Sequence, residues 1–394
     1  MDRLLEFGAA SKVEAGGFGW LDDHGSVDST KGIHLWITCR MTHCFALAAL
    51  AGRPRAMALA EHGVDALRGV LRDDEHGGWF AAVGPKGPTN TAKEAYGHAF
   101  VILAASSAVA AGIDGARTLL LEAIEVHTER FWQPDFGMSR ESFARDWSGE
   151  EDYRGINANM HTVEAYLAAA DVLGESELLH RAQRIASRAI NVFARDNGWL
   201  LPEHFTSSWE PVLSYNEASP AHPFRPFGAT IGHLFEWARL VLATGQSLQQ
   251  AGFATPEWME PAARALYDKG VEVGWSADGA PGFVYTVDWQ GAPVVRERMH
   301  WVAAEAVGAA AVLWQRTKAD TYAHDYQRWW DFIGQFHLDP AGGSWWHELA
   351  PDNRPSHTVW EGKADIYHAL QATLLPRLPI SPALAASLAA GNLK

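Results

Sequence analysis

A histidine recurs near the start of six alanine- and leucine-rich segments of this 394-residue chain, and the recurrence constrains the fold more than any other feature. Successive histidines are 55, 63, 72, 67 and 68 residues apart, and they are His43, His98, His161, His233, His300 and His368. A repeat of this length is typical of folds built from equivalent helical hairpins, because no hairpin can bury its apolar face alone. We therefore expect six similar units packed side by side.

Two kinds of helical segment alternate along the chain. The segments that carry the histidines are apolar on nearly all sides, which predicts buried helices at about 34–51, 91–112, 156–173, 228–243, 298–316 and 359–373. The segments between them are more charged and place apolar residues at i, i+3, i+4 and i+7, which predicts one-sided burial at about 54–71, 115–132, 177–196, 255–274 and 320–336. A final run near 380–391 makes twelve helices. The pattern predicts an all-α (α/α)6 barrel, or toroid, as a single domain over residues 1–394.

Five of the charged segments are followed by a turn that combines glycine with aromatic and β-branched residues. The five are HGGWFAAV, DFGMSRES, NGWLLPEH, APGFVYTVDW and GGSWWHEL. Glycine allows a tight turn and the residues after it favour extended backbone, so we expect short β-hairpins on one face of the barrel. The stretches 133–155 and 200–225 have no helical period, and we expect them to be loops that cover the mouth of the barrel.

Composition excludes several classes of partner. The net charge is −15 and there is no stretch rich in Lys and Arg, so nucleic acid and anionic membrane surfaces are not expected partners. The two cysteines, Cys39 and Cys44, predict no disulfide framework and a reducing compartment. No signal peptide and no 18-residue apolar run is evident, so we expect a soluble, cytoplasmic protein.

Two of the recurrent histidines have a carboxylate three residues later. Glu164 follows His161 and Glu236 follows His233. Because a neighbouring carboxylate fixes the tautomer of an imidazole and raises its basicity, this pattern indicates proton transfer. The alternative is that the repeat keeps histidine as a buried hydrogen-bonding residue, which suits the apolar surroundings of the first two histidines best.

The same His-x-x-Glu spacing could also hold a metal ion. Zinc hydrolases use His-Glu-x-x-His, which this chain lacks. Di-iron proteins place Glu before His, the reverse of the order found here. We therefore predict no bound metal and no cofactor.

Other polar and aromatic residues share the predicted helix faces. Arg40 lies one turn after Trp36 and three residues before His43. A buried arginine without a partner is costly, so Arg40 must either pair with a carboxylate or bind a polar ligand. Similar faces hold Asn157, His161 and Glu164 on the third histidine segment, and Trp301 and Glu305 on the fifth.

These residues together resemble a known family. The motifs that carry the resemblance are RMTH, EAYGHAF, NANMHTVEAYLAA, FRPFGATIGHLFEWARL, RMHWVAAEA and KADIYHALQA. The set is similar to the N-acylglucosamine 2-epimerase superfamily, and within it to the branch of mannose and sulfoquinovose isomerases. The resemblance extends from about Trp36 to Leu374 and implies the (α/α)6 barrel that the repeat predicts.

The resemblance implies an enzyme that moves protons on a monosaccharide through an enediol, without metal or cofactor. His233 and His368 are implied as the proton-transfer pair. We predict that His368 moves the proton between C2 and C1, while His233, oriented by Glu236, opens the sugar ring. The implied substrate-binding residues are Arg40, Asn157, His161, Glu236, Trp301 and Glu305, together with Trp36, Tyr96 and Arg225. The preferred reaction is the interconversion of D-mannose and D-fructose, and a homo-oligomer is compatible with it.

Several alternatives remain open at the level of sequence. A sulfoquinovose isomerase would need a second cation, for which Lys93, Arg225 and Lys363 are candidates. An N-acylglucosamine or cellobiose 2-epimerase would deliver protons to both faces of C2. A glycoside hydrolase would need two carboxylates, for example from Asp146, Glu150 and Glu151. A non-catalytic sugar-binding protein would need the aromatic residues but not the two histidines.

Overall fold

Helices make up most of the regular structure in the computed structural model, which describes all residues from Met1 to Lys394. There are thirteen α-helices: α1 Asp2–Ala9, α2 Leu35–Leu50, α3 Ala56–Arg68, α4 Ala95–Ala110, α5 Ala116–Val126, α6 Ile156–Leu173, α7 Ser176–Arg188, α8 Ile231–Gln250, α9 Met259–Gly274, α10 His300–Thr317, α11 Asp320–Phe332, α12 Tyr367–Leu374 and α13 Leu384–Ala389. The six recurrent histidines lie on α2, α4, α6, α8, α10 and α12, which we call the histidine helices.

The twelve predicted helices are all present, and most begin and end within a few residues of the predicted bounds. Three charged helices continue into π-helical turns, at His127–Phe131, Ala189–Ala194 and Ile333–His337. A short 3₁₀ turn, Leu375–Arg377, follows α12. Helix α8 ends at Gln250, seven residues beyond its predicted end, and helix α1 lies outside the predicted set.

The predicted start of α12 is wrong by eight residues. Helix α12 begins at Tyr367, because the segment before it is a loop. The buried carboxylate of Glu348 holds this loop by accepting hydrogen bonds from the backbone N–H groups of Thr358, Val359 and Trp360 at 2.7, 2.8 and 2.6 Å. Backbone groups that bind a side chain in this way are not available for a helix.

Burial separates the two kinds of helix as the sequence predicts. In α2, 14 of 16 residues are buried, whereas in α3 only 6 of 13 are. The histidine helices are therefore surrounded by protein, and the charged helices present one face to solvent.

The strands are short and mostly join distant parts of the chain. A two-residue strand before a histidine helix pairs antiparallel with a strand that follows a glycine–aromatic turn: Ile33–His34 with Ala82–Gly84, Lys93–Glu94 with Ser142–Phe143, Ala229–Thr230 with Thr286–Val287, and Arg298–Met299 with Glu348–Leu349. The remaining strands are Gly87–Asn90, Trp132–Gln133, Met138–Ser139, Arg154–Gly155, His204–Phe205 and Pro293–Val295. Local hairpins form at three of the five predicted positions, where Ala82–Gly84 pairs with Gly87–Asn90, Trp132–Gln133 with Met138–Ser139, and Thr286–Val287 with Pro293–Val295. Single bridges such as Arg72–Trp79 also occur.

The chain separates into two compact units. The first comprises Met1–Ile185, Lys363–Tyr367 and Ser381–Lys394. In it α4 packs against α2, α5 and α6, and α13 contacts α2, α4 and α6. The second comprises Ala186–Gly362 and His368–Ile380, where α8 packs against α9 and α10, and α10 against α11. A mostly helical fold is confirmed, while closure into one (α/α)6 domain stays a prediction.

No helix combines the length and apolar character that crossing a lipid bilayer requires.

Candidate active site

Two glycines of the stretch that leads into α8 allow close packing around His233. Gly228 has a φ of +88°, and a Cβ atom there would overlap the carbonyl oxygen of Val287. A Cβ atom on Gly232 would overlap the indole ring of Trp301. The backbone thus approaches its neighbours closely at both glycines, and at Gly232 this lets an aromatic ring lie directly against α8.

His233 is held by a carboxylate from another segment of the second unit. Its Nδ1 atom lies 2.9 Å from Oε1 of Glu203, and both side chains are buried. A carboxylate accepts hydrogen bonds, so Nδ1 carries the proton and Nε2 is the basic nitrogen. The expectation that Glu236 orients His233 is corrected, since the Glu236 carboxylate accepts a hydrogen bond from Arg239 at 3.2 Å.

His368 has the same arrangement with a different carboxylate. Its Nδ1 atom lies 2.9 Å from Oε1 of Glu305, which is 1 % exposed. Arg239 donates to both oxygens of that carboxylate, from Nε at 2.5 Å and from Nη2 at 3.3 Å. Burial raises the pKa of Glu305, but the Arg239 charge and the His368 hydrogen bond outweigh it and lower the pKa to about 2. Glu305 is therefore ionised near neutral pH, and Nε2 of His368 is its basic nitrogen.

Trp301 contacts both histidines. Its ring centroid lies 5.2 Å from that of His233 and 5.7 Å from that of His368. The second unit thus brings together two imidazoles, each with a carboxylate at Nδ1, on one indole ring. Both His233 and His368 can accept a proton at Nε2, so they can act as bases at different atoms of one small substrate.

The same cluster contains a possible set of metal ligands. One ligand atom each from Glu236, Glu305 and His368 lie within 4.8 Å of one another. However, the guanidinium of Arg239 already donates to both carboxylates. A cation is thus supplied by the chain itself, and an added metal ion would have to compete with a buried, hydrogen-bonded arginine.

In the first unit, Arg40 pairs with a carboxylate. Its Nη1 atom lies 3.1 Å from Oδ2 of Asp365, and Nη2 donates to the hydroxyl of Tyr96 at 2.8 Å. Burial lowers the pKa of Arg40, but Tyr96, Asp365 and Tyr367 raise it by more, so the guanidinium stays charged. Of the two expectations for Arg40, the structure shows the ion pair.

Aromatic rings surround the Arg40 guanidinium. Its carbon lies 5.1 Å from the ring centroid of Trp36, 4.7 Å from that of Phe100 and 4.8 Å from that of Tyr367. These distances are within the range of cation–π attraction. The arginine is therefore fixed in position, and Trp36 and Tyr96, both predicted site residues, lie beside it.

His161 lies in the same unit and also faces a carboxylate. Its Nδ1 atom is 3.4 Å from Oε2 of Glu164, and the same oxygen accepts a short hydrogen bond from the hydroxyl of Tyr367. The rings of Phe100 and Tyr96 pack on the imidazole with centroids 4.5 and 5.4 Å away. The predicted i, i+3 pairing is confirmed for this histidine, although its distance is long for a hydrogen bond.

Two other predicted residues lie further out. Asn157 is partly exposed on α6, one helical turn before His161. Arg225 lies in the loop that precedes α8, where Nη1 is 3.5 Å from the hydroxyl of Tyr215 and the backbone N–H donates to Nδ1 of His222 at 2.9 Å.

The remaining recurrent histidines bind neutral groups. His43 contacts the Ser107 hydroxyl at 2.7 Å, and burial lowers its pKa to about 4. His98 contacts the Glu94 carbonyl at 2.8 Å, and burial lowers its pKa to about 3. His300 stacks on His347 with centroids 3.7 Å apart, and burial lowers its pKa. The six recurrent histidines therefore differ in their surroundings, and three of them, His161, His233 and His368, have carboxylate partners.

Four residues of these clusters are not among the site residues predicted from the sequence. They are Glu203, Arg239, Asp365 and Tyr367. Arg239 lies in the FRPFGATIGHLFEWARL motif, three positions after Glu236, and Asp365 and Tyr367 lie in the KADIYHALQA motif. Glu203 lies outside the motifs that carry the family resemblance.

Comparison with known proteins supports a sugar-modifying enzyme. The model of the N-acylglucosamine 2-epimerase family matches residues 16–372. The chain is 50 % identical over 389 residues to a D-mannose isomerase of Thermobifida fusca, covering 98 % of this chain and 95 % of that one. It is 51 % identical over 390 residues to a D-mannose isomerase of Pseudomonas cannabina pv. alisalensis, covering 98 % and 93 %. A crystal structure of a D-mannose isomerase superposes with a TM-score of 0.87 at 29 % identity, covering 94 % of both chains.

Proposed function

The chain belongs to the N-acylglucosamine 2-epimerase family and is an isomerase that acts on sugars, and from this premise we propose that it interconverts D-mannose and D-fructose. The observation that carries the choice of substrate is the identity of about half of all residues, over 98 % of the chain, with two proteins described as D-mannose isomerases. Relatives with a lower sequence identity would indicate the class of reaction but not the substrate.

The proposed chemistry needs one base that serves two adjacent carbons. Nε2 of His368 removes the proton from C2 of the open-chain aldose, and the C1 carbonyl oxygen takes up a proton as the electrons move to form the enediol. The imidazolium then returns a proton to C1, while the C2 hydroxyl loses its proton and becomes the ketone. A positioned base of this kind contributes about 10²–10⁴-fold to the rate. Glu305 supports the step by holding the His368 tautomer, which makes it a positioning residue.

His233 acts on the oxygen atoms in this proposal. With Nδ1 bound to Glu203, its Nε2 atom can exchange protons with the ring oxygen and O1 during ring opening. The contact of both histidines with Trp301 supports their action on one sugar. The fixed donors around the substrate stabilise the negative charge that develops on the enediolate oxygens.

The other predicted residues are proposed to bind the sugar. They are Arg40, Trp36, Tyr96, Asn157, His161, Arg225, Glu236 and Trp301. We further propose that the fold closes as an (α/α)6 barrel and that catalysis uses neither metal nor cofactor. Arg239, which donates to the carboxylates of Glu236 and Glu305, supplies in that cluster the cation that a metal would otherwise provide.

Nuclear magnetic resonance of D-mannose incubated with the protein in D2O tests the proposal. We expect D-fructose as the product, with part of the C1 position still carrying hydrogen, because one imidazole moves the proton between neighbouring carbons. D-Glucose as the main product would show a 2-epimerase instead. No reaction with D-mannose, together with rapid turnover of sulfoquinovose, would establish the other branch of isomerases.

A further inference from the structure

We propose that Asp365 makes this enzyme selective for neutral sugars by neutralising Arg40. The inference rests on the proposed function, because it assigns the surroundings of Arg40 to the sugar. It concerns whether the site accepts neutral or charged sugars. It assigns this selectivity to Asp365, which takes no part in proton transfer.

The ion pair is buried and directional. Arg40 is 7 % exposed and Asp365 is 3 % exposed, so little water is available to screen their interaction. Of the two terminal nitrogens of Arg40, Nη1 faces the carboxylate and Nη2 donates to the Tyr96 hydroxyl. Opposite charges 3.1 Å apart in such surroundings attract strongly, and together they present almost no net charge to a ligand.

Asp365 is held so that it cannot turn away from the arginine. Its Oδ1 atom accepts the backbone N–H of Tyr367 at 2.8 Å, at the start of α12, while Oδ2 faces Arg40. An anionic substituent of a sugar would therefore meet a fixed negative charge beside the positive one, and it would lose its own hydration in binding. A hydroxyl group can still accept a hydrogen bond from the guanidinium, so a neutral sugar is not excluded.

Lys93, one of the candidate cations for a sulfonate in this unit, is also engaged. Nζ of Lys93 lies 2.9 Å from Oδ2 of Asp73 and donates to the Gly77 carbonyl at 2.8 Å. Lys93 is fully buried, and Arg145 binds the same carboxylate. The suggestion that Lys93 serves as a second donor for an acidic sugar is therefore corrected, since Arg40 and Lys93 each have an aspartate partner already.

The decisive variant is Asp365→Asn, because the amide oxygen of Asn can still accept the Tyr367 N–H while the negative charge is removed. We measure kcat/KM for D-mannose and D-mannose 6-phosphate, which share one ring and differ in charge. The ratio of the phosphorylated to the neutral sugar is expected to rise at least tenfold in D365N. In the double variant R40Q/D365N the rise should disappear, because the freed cation is gone.

Asp171→Asn is the matched control. Asp171 lies in the same unit and accepts a backbone N–H from Ala383 at 2.6 Å, so the substitution is the same but is remote from Arg40. In D171N the ratio of kcat/KM for D-mannose 6-phosphate to kcat/KM for D-mannose should equal that of the wild type. A rise in D171N as well would show a general effect of charge and would overturn the inference.

The outcomes separate this inference from the proposed function. If wild-type protein does not turn over D-mannose, the proposed function fails. If it does, but D365N folds with the wild-type circular dichroism spectrum and an unchanged ratio, only the inference fails. Should D365N not fold, wild-type protein alone still decides: binding D-mannose 6-phosphate as tightly as D-mannose in calorimetry would overturn the inference, and at least tenfold weaker binding would support it.

Discussion

Nδ1 of His233 lies 2.9 Å from the carboxylate of Glu203, a residue thirty positions earlier in the chain. The imidazole therefore takes its orientation from the loop before α8 and not from the next turn of its own helix. Its Nε2 atom is left as the basic nitrogen. Glu236, which lies on the same helix, accepts instead from Arg239 and belongs to the network around His368 and Glu305.

Glu203→Gln should lower kcat at least about tenfold with a small change in KM, because a Gln amide can present N–H to Nδ1 and favour the wrong tautomer. Steady-state kinetics with D-mannose measures this. The matched control is Glu210→Gln, an exposed glutamate of the same segment, which should behave as wild type. Equal activity of E203Q and E210Q would show that the His233–Glu203 contact does not serve catalysis.

His368→Ala and His233→Ala should each reduce kcat by about 10²–10⁴-fold, the contribution of a positioned acid or base. Because both residues act on one intermediate, the double variant should lose less than the product of the two single losses. Exposed His24→Ala is the control. Exchange of the C2 hydrogen in D2O assigns the roles: if H368A exchanges it near the wild-type rate and H233A does not, the two roles are reversed.

Exhaustive chelation should leave the activity unchanged. The basis is Arg239, which donates to both Glu236 and Glu305 and thus occupies the carboxylates of the possible ligand set. Activity after dialysis against a chelator is compared with a sample to which divalent ions are returned, alongside metal analysis of the purified protein. Stoichiometric metal, with activity lost on its removal and restored by its return, would contradict a metal-free reaction.

Asp171→Asn should stabilise the protein at alkaline pH. Burial raises the pKa of Asp171 from 3.8 to about 6, so the folded state binds its proton more tightly than the unfolded state. Below about pH 3.8 the carboxyl is neutral in both states and does not oppose folding; stability is lost as the pH rises through 6, and above that the full penalty opposes folding. Allowing for partial exposure, D171N should gain about 1–2 kcal/mol at pH 8 and almost nothing at pH 4. Thermal unfolding of D171N and wild type at pH 4 and pH 8 measures this difference. An equal gain in stability at both pH values would show that the effect does not come from titration of the Asp171 carboxyl.

Asp73→Ala should destabilise the first unit strongly. Asp73 accepts hydrogen bonds from fully buried Lys93 and from Arg145, each at 2.9 Å, and these cations lower its pKa against the opposing effect of burial. Removing one partner of a buried pair leaves an uncompensated charge, at a cost of about 3–5 kcal/mol.

The matched variant removes both members of the pair. Asp73→Leu combined with Lys93→Met should lose less stability than Asp73→Ala alone, because no charge is left buried without a partner. Differential scanning calorimetry of the three proteins measures this. A double variant less stable than D73A would show that the charges contribute more than their mutual neutralisation.

Most of the helices could be predicted from the sequence because the signal for them is local. A helix shows its buried face within three or four residues, so the sequence places α2 to α11 within a few positions when their π-helical turns are counted, except for the end of α8. The start of α12 could not be placed, since Glu348 holds the loop before it from ten or more residues away. The strand pairs, such as Ile33–His34 with Ala82–Gly84, likewise depend on partners far along the chain.

The sequence by itself determined where the six histidines stand, which helices are buried, and the family to which the chain belongs. Only the tertiary structure decided what each histidine faces. His161 finds its carboxylate within its own helix, but His233 and His368 find theirs 30 and 63 residues away. Arg40 and Asp365 are separated by 325 residues. The physical reason is that these polar partners are brought together only when the chain folds. The periodicity of a sequence reports local structure, and it does not indicate which distant segments come into contact.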